Sequence, residues 1–177
     1  MRYLHDGMRI LDMCTGSGCI LISLLHYSND CTGVGADISR EALGIAEQNA
    51  GRLLGEKQER ITFIQSDLFE KIEGQFDMIV TNPPYIETKV IETLMPEVRE
   101  HEPRIALDGS DDGLWFYRRI IAESRGHFAQ EGMLLMEIGY NQAEQVSALM
   151  QEAGFVEVHT VKDFAGNDRV VFGTFIK

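Results

Sequence analysis

Two consecutive prolines, Pro83 and Pro84, stand directly behind the apolar run Phe76-Asp77-Met78-Ile79-Val80 and restrict what this part of the chain can become. The run is short and rich in bulky residues, as a buried strand requires. Proline has no N–H and a fixed φ, so the strand ladder must stop there. Pro84 also pushes Pro83 out of the α region. Asn82 therefore ends a strand, and the chain beyond it is stiff and extended. The carbonyls of Asn82 and Pro83 have no forced local partner. The Asn82 side chain adds an acceptor and a donor, and Tyr85 adds a flat ring with a polar tip. Acceptors grouped beside an aromatic face suit a planar NH2 group. A turn with Asn as cap and Tyr as core is the plainer alternative.

The same pattern of chemistry at strand ends recurs upstream. Arg9-Ile10-Leu11-Asp12-Met13 has the composition of a buried strand, followed by Cys14-Thr15-Gly16-Ser17-Gly18 and an apolar helix over Cys19–Tyr27. Strand, glycine turn and helix open a nucleotide-binding α/β unit. Glycines admit φ > 0 and let a ligand approach the backbone. Free N–H groups at a helix start offer donors to a carboxylate or phosphate. The spacing is not G-x-G-x-x-G, which disfavours a dinucleotide. Thr32–Asp37 is a second strand ending in an acid. Asp37 follows the glycine turn by about 20 residues, where a carboxylate suits ribose hydroxyls. Ser39 can cap the helix over Arg40–Leu54, whose apolar stripe is core packing. A third strand, Arg60–Gln65, precedes Ser66-Asp67-Leu68-Phe69. Glycine turn, acid, acid and Asn-Pro-Pro-Tyr thus occupy four successive strand ends, and open α/β sheets bind ligands outside the carboxyl ends of their strands.

Residues 86–110 lack clear periodicity, and loops this long are usually lids or binding segments. A helix is predicted over Gly113–Phe128 with Trp115, Phe116, Ile120 and Ile121 facing inward. A fifth strand is predicted over Met133–Ile138, and a helix over Gln142–Glu152 ends at Gly154. Strands over Val156–Val161 and Arg169–Phe175 flank Ala165-Gly166-Asn167-Asp168, which suits a hairpin. The expected architecture is one α/β domain over residues 1–177, with a mostly parallel seven-stranded sheet and a terminal antiparallel hairpin.

Charge and composition narrow the partners. The chain carries 16 Lys and Arg against 28 Asp and Glu, a formal net charge of −12. Such a surface repels phosphate backbones, so no direct nucleic-acid partner is expected. No apolar run approaches the roughly 20 residues of a membrane span, and no secretory start is expected from the first residues. Cys14, Cys19 and Cys31 lack metal-ligand spacing and have no His cluster beside them. No metal site is expected, and a reduced, cytoplasmic setting is the simplest reading. His101 is the only histidine in the unperiodic segment and is read as a surface residue.

The glycine turn resembles the first motif of class I S-adenosylmethionine-dependent methyltransferases, and Asn82-Pro83-Pro84-Tyr85 resembles the signature of those that methylate amino groups. With Pro96-Glu97-Val98-Arg99-Glu100-His101-Glu102-Pro103-Arg104, Ala106-Leu107-Asp108-Gly109, Asp111-Asp112-Gly113-Leu114 and Tyr117-Arg118, nearly the whole chain is similar to the release-factor glutamine methyltransferases, the HemK or PrmC type. That resemblance implies a Rossmann-like fold with S-adenosylmethionine as cofactor. It implies methylation of the glutamine amide in the Gly-Gly-Gln loop of a peptide-chain release factor; a monomer is expected. The resemblance assigns Asp12, Cys14, Thr15, Gly16, Ser17, Gly18, Asp37, Ile38, Asp67, Leu68 and Asn82 to the cofactor. In it Asp12 lies near the methionine ammonium, Asp67 beside the adenine amine, and Leu68 over the ring. Asn82, Pro83, Pro84 and Tyr85 fall to the substrate glutamine, with Asn82, Pro83 and Tyr85 as catalytic residues. Cys14 stands where the motif more often has Gly, which asks for a φ that non-glycine residues adopt. The family's small N-terminal helical domain, and a linker with an Arg-Pro-x-Thr-Glu-like element, have no counterpart in this sequence. A fragment or a shortened homologue is expected, with substrate docking weakened.

An amide nitrogen is a poor nucleophile because its lone pair is conjugated with the carbonyl. Asn82 Oδ1 and the Pro83 carbonyl are expected to hold the NH2 group while Tyr85 packs on the amide plane, so that positioning does most of the work. Three alternatives stand beside this one: glutamine methylation of a ribosomal protein, N6-methylation of DNA adenine with base flipping, and a cofactor-binding module without turnover.

Overall fold

The computed structural model describes residues 3–177. Seven strands form one sheet: β1 (Arg9–Met13), β2 (Thr32–Asp37), β3 (Ile61–Gln65), β4 (Phe76–Thr81), β5 (Phe128–Glu137), β6 (Val156–Lys162) and β7 (Asp168–Ile176). Their order is β3-β2-β1-β4-β5-β7-β6. The pairs from β3 to β5 are parallel, and β7 runs antiparallel to both β5 and β6. The chain leaves β1 toward β2 and β3, then returns to place β4 on the other side of β1. This reversal is the switch point at which doubly wound sheets open a crevice.

Alternation along the central strands splits the core in two, because successive side chains face opposite sides of a sheet. Ile10, Met78 and Val80 pack with Leu21, Ile22 and Leu25 of α1 (Cys19–Tyr27) and Ala50 and Leu54 of α2 (Arg40–Leu54). Leu11, Met13, Ile79, Leu134 and Met136 pack with Tyr117, Ile120 and Ile121 from the helix over Trp115–Ser124, and with Val146 and Met150 from the helix over Ala143–Glu152. The Ser39 hydroxyl accepts from Ala42 N–H at 3.2 Å and caps α2, a contribution of about 1 kcal/mol.

The strands and α-helices of the first half fall where the sequence places them, apart from single residues at the ends of β3 and β4, and Gly55–Arg60 between α2 and β3 form a 3-10 helix where a solvated turn is expected. The second half differs. Residues 86–110, expected as an unperiodic loop, fold into three single-turn helices, α3 (Thr88–Ile91), α4 (Pro96–Arg99) and α5 (Arg104–Leu107). The helix predicted over 113–128 is shorter: α6 spans Trp115–Ser124, a 3-10 turn covers Arg125–His127, and Phe128 opens β5. Its buried residues are Tyr117, Ile120, Ile121 and Ser124 rather than Trp115. The Arg119 guanidinium lies 5.1 Å above the Trp115 ring and holds it at the surface. β5 begins earlier than its apolar core suggests because Glu131 and Gly132 pair with Ile176 and Phe175 of β7. α7 spans Ala143–Glu152.

Candidate active site

Strand register gathers the candidate residues along one rim. Met13 is level with Ala36 on one side and Thr81 on the other, and Thr81 is level with Met136. Cys14, Asp37, Asn82 and Glu137 therefore emerge side by side. Ser66 joins them through its N–H, which donates to the Asp37 carbonyl at 3.0 Å.

The glycine turn is tied down from below. Thr15 N–H donates to the Ala36 carbonyl and Gly18 N–H to the Thr15 carbonyl, both at 2.9 Å. Thr15 Oγ1 donates to Asp12 Oδ2 at 2.7 Å, and Leu21 N–H donates to the same oxygen at 3.2 Å. Asp12 is 1% exposed, and its other oxygen, Oδ1, is buried without a partner among the described residues. Burial pushes its carboxyl up to about 7, against the two hydrogen bonds and with the help of nearby Asp37. Asp37 does structural work as well. Oδ2 accepts from Gly16 N–H and Oδ1 from Ser39 N–H, each at 2.9 Å, which leaves lone pairs on both oxygens for a ligand. Ile38 beside it is 48% exposed. Ser17 is exposed, and its carbonyl accepts from Asn49 Nδ2 at 3.0 Å.

Cys14 corrects the sequence reading of its backbone. Its φ is +57°, in the left-handed region that glycine favours, and Leu68 has φ +45°. Non-glycine residues held there cost on the order of 1 kcal/mol each and tend to mark functional sites. Burial, then Asp37 and Asp12, push the Cys14 thiol up to about 12, which disfavours the thiolate that a nucleophile needs. Leu68 is 4% exposed and packs in the larger core cluster. Asp67 is engaged by a residue that the sequence did not suggest: Arg119 donates to its Oδ1 at 3.0 Å, and the same guanidinium bonds Glu123 at 2.8 Å.

At the end of β4, Pro83 and Pro84 are buried and Asn82 is exposed. Among the described residues the Asn82 amide has no hydrogen-bond partner. Tyr85 is half-buried and packs against the larger core cluster. Burial and Glu137 raise its hydroxyl pKa, while Arg169 opposes them. The chain beyond is pinned to the segment ending at Ser110: Ile86 N–H donates to the Leu107 carbonyl at 3.0 Å, Gly109 N–H to the Ile86 carbonyl at 2.8 Å, and Thr88 N–H to the Ser110 carbonyl at 3.1 Å. A Cβ on Gly109 would stand 2.7 Å from the Tyr85 Cα, so this close approach needs glycine. Sequence reasoning missed Glu137, Arg169, Gly109 and Arg119 as neighbours of the site. Their positions come from long-range pairing that no local pattern encodes.

A rim of this kind offers an open glycine turn, a carboxylate at the end of β2 and an exposed amide at the end of β4. The methyltransferase small domain family matches residues 2–100. A release factor glutamine methyltransferase from Agrobacterium fabrum is 47% identical over 92% of this chain and 56% of its own length. Another from Caulobacter vibrioides is 44% identical over 96% and 58%. The chain thus spans little more than half the length of these relatives. Among solved structures, a ribosomal protein L11 methylase from Lactobacillus delbrueckii superposes with a TM-score of 0.69 at 18% identity, over 99% of this chain and 73% of its own. A release-factor-specific protein-(glutamine-N5) methyltransferase from Alicyclobacillus acidocaldarius gives 0.54 at 28% identity, over 99% and 84%. The fold is the class I methyltransferase fold, and the chain belongs to the methyltransferase small domain family.

Proposed function

We propose that this domain transfers a methyl group from S-adenosylmethionine to the side-chain amide nitrogen of the glutamine in the Gly-Gly-Gln loop of a peptide-chain release factor. The observation that carries this reading is the placement of Asn82–Tyr85 at the end of β4, next to the glycine turn that ends β1. Relatives and a solved structure bearing that activity in their names support it. In this reading the enzyme is a cytoplasmic monomer whose partner is a protein.

The residues fit the cofactor. Asp12 Oδ1 is an unmatched acceptor under the turn, which suits an ammonium group. A Cβ at Gly16 would meet nothing within 4 Å, so the turn is open to a ligand. Asp12 and Cys14 to Gly18 would hold the amino-acid part, Asp37 and Ile38 the ribose side, and Asp67 and Leu68 the adenine. When bound, the group supplies an activated sulfonium methyl. The chain then has to aim the acceptor. Asn82 Oδ1 and the Pro83 carbonyl accept from the amide NH2 and pull electron density onto nitrogen. Tyr85 packs on the amide plane and fixes its tilt, and the departing proton passes to water. Orientation can contribute several kcal/mol, and acceptors fixed in advance add more.

The test is transfer of labelled methyl from S-adenosylmethionine to a purified release factor and to its Gln→Ala loop variant, with duplex DNA alongside. Label on the intact factor alone is expected. Label on the Gln→Ala variant or on DNA overturns the reading.

A further inference from the structure

Gln142 precedes α7, is 6% exposed and touches three separate stretches of chain. Its Nε2 donates to the Tyr85 carbonyl at 3.1 Å and to the Gly113 carbonyl at 3.2 Å. Its Oε1 accepts from Gly139 N–H at 2.9 Å. The Tyr117 hydroxyl stands 3.4 Å from that oxygen and donates to the Glu137 carbonyl at 2.9 Å. Two neighbouring glycines make room for the amide. A Cβ on Gly113 would fall 2.5 Å from the Tyr85 oxygen and 2.8 Å from Gln142 Nε2, and one on Gly139 would fall 2.8 Å from Gln142 Oε1.

We propose that Gln142 is a positioning residue: its buried amide clamps the Tyr85 carbonyl and so holds the Asn82–Tyr85 segment in the shape that receives the acceptor nitrogen. The role rests on the amide-methylation reading above. Two carbonyls need donors and one N–H needs an acceptor, and a neutral amide supplies both. A carboxylate there would face two carbonyl oxygens. A thioether would leave three main-chain groups, two of them in buried hydrogen bonds, without their Gln142 partner, each a loss of the kind that weakens a local fold. The Tyr85 carbonyl fixes the Tyr85–Ile86 peptide plane, and with two stiff prolines before it the whole motif follows.

Hydrogen exchange tests the clamp without any acceptor. In Gln142→Glu and Gln142→Met, the Ile86 and Gly109 amides should exchange at least about tenfold faster, while those of Leu21 and Ile22 keep wild-type rates. In methyl transfer to the release factor, kcat should fall on the order of a hundredfold, with the dissociation constant for S-adenosylmethionine within about twofold of wild type. Unchanged exchange at Ile86 and Gly109, acceleration at all four amides alike, or a kcat within threefold of wild type each overturns the proposal. If neither variant folds, wild type decides it: Ile86 and Gly109 must be protected, and exchange at open-loop rates overturns the clamp. A wild-type domain that labels no release factor removes the functional reading, while the exchange measurement still decides the clamp.

Discussion

Asn82 and Asp12 are both polar residues at strand ends, but their surroundings give them opposite behaviour. Asn82 is exposed beside buried Pro83 and Pro84, so its amide is rigidly mounted yet free to meet a ligand. Asn82→Ala should lower kcat about a hundredfold to a thousandfold, the range seen when one fixed polar partner is removed. The cofactor should still bind, as calorimetry can read, and near-wild-type turnover with cofactor bound would remove Asn82 from the chemistry. Asp12 is buried, and burial lifts its carboxyl from 3.8 to about 7 in the folded chain. The folded state therefore holds a proton that the unfolded chain has already lost. This group favours folding most fully below pH 4, and its contribution is lost as pH rises from 4 to 7. In the absence of cofactor, the fall in the urea midpoint between pH 5 and pH 8 should be smaller for Asp12→Asn than for wild type. An equal fall would mean that Asp12 is ionised throughout.

Among elements, legibility followed locality. β1, α1, β2 and α2 were readable to the residue because a glycine turn and the Ser39 cap mark their ends within a few positions. α6 was misjudged because aromatic content argued for burying Trp115, whereas Arg119 keeps that ring at the surface. The start of β5 carries no apolar signal of its own and is a strand only because β7 pairs with it. The segment over residues 86–110 was legible as unperiodic, but its three single-turn helices were not. Its single-turn helices are too short to be stable alone and depend on the Ile86–Leu107 and Gly109–Ile86 hydrogen bonds. The strand-end motifs of the candidate site were visible in the sequence, whereas the groups that fix them, Gln142 above all, were not. That dependence can be tested at Gly109, where a Cβ would meet Tyr85 backbone atoms at 2.7 Å. Gly109→Ala should destabilise the fold by about 1–3 kcal/mol, as overpacking does, read from the urea midpoint at unchanged slope. A loss below about 0.5 kcal/mol would show that the segment shifts freely and does not hold Tyr85.

At the scale of the whole molecule, one sheet carries both halves of the core. The α1–α2 face and the α6–α7 face share β1, β4 and β5, so neither face can keep its packing once the strands separate. A single unfolding transition follows, and the chain contains its own reporter. Trp115, the only tryptophan, sits on α6 and senses the α6–α7 face, while far-ultraviolet circular dichroism senses all elements. The two transitions should coincide in urea, and an earlier Trp115 transition would show that the α6–α7 face unfolds separately. The net charge of −12 bears on the same experiment, because self-repulsion of like charge opposes compactness. Raising salt from about 10 mM to about 200 mM shortens the Debye length from roughly 30 Å to below 10 Å. The shared midpoint should therefore move to higher urea at both probes by the same amount. A midpoint that falls with salt would mean that attractive pairs such as Arg119 with Asp67, 3.0 Å apart, outweigh the net repulsion.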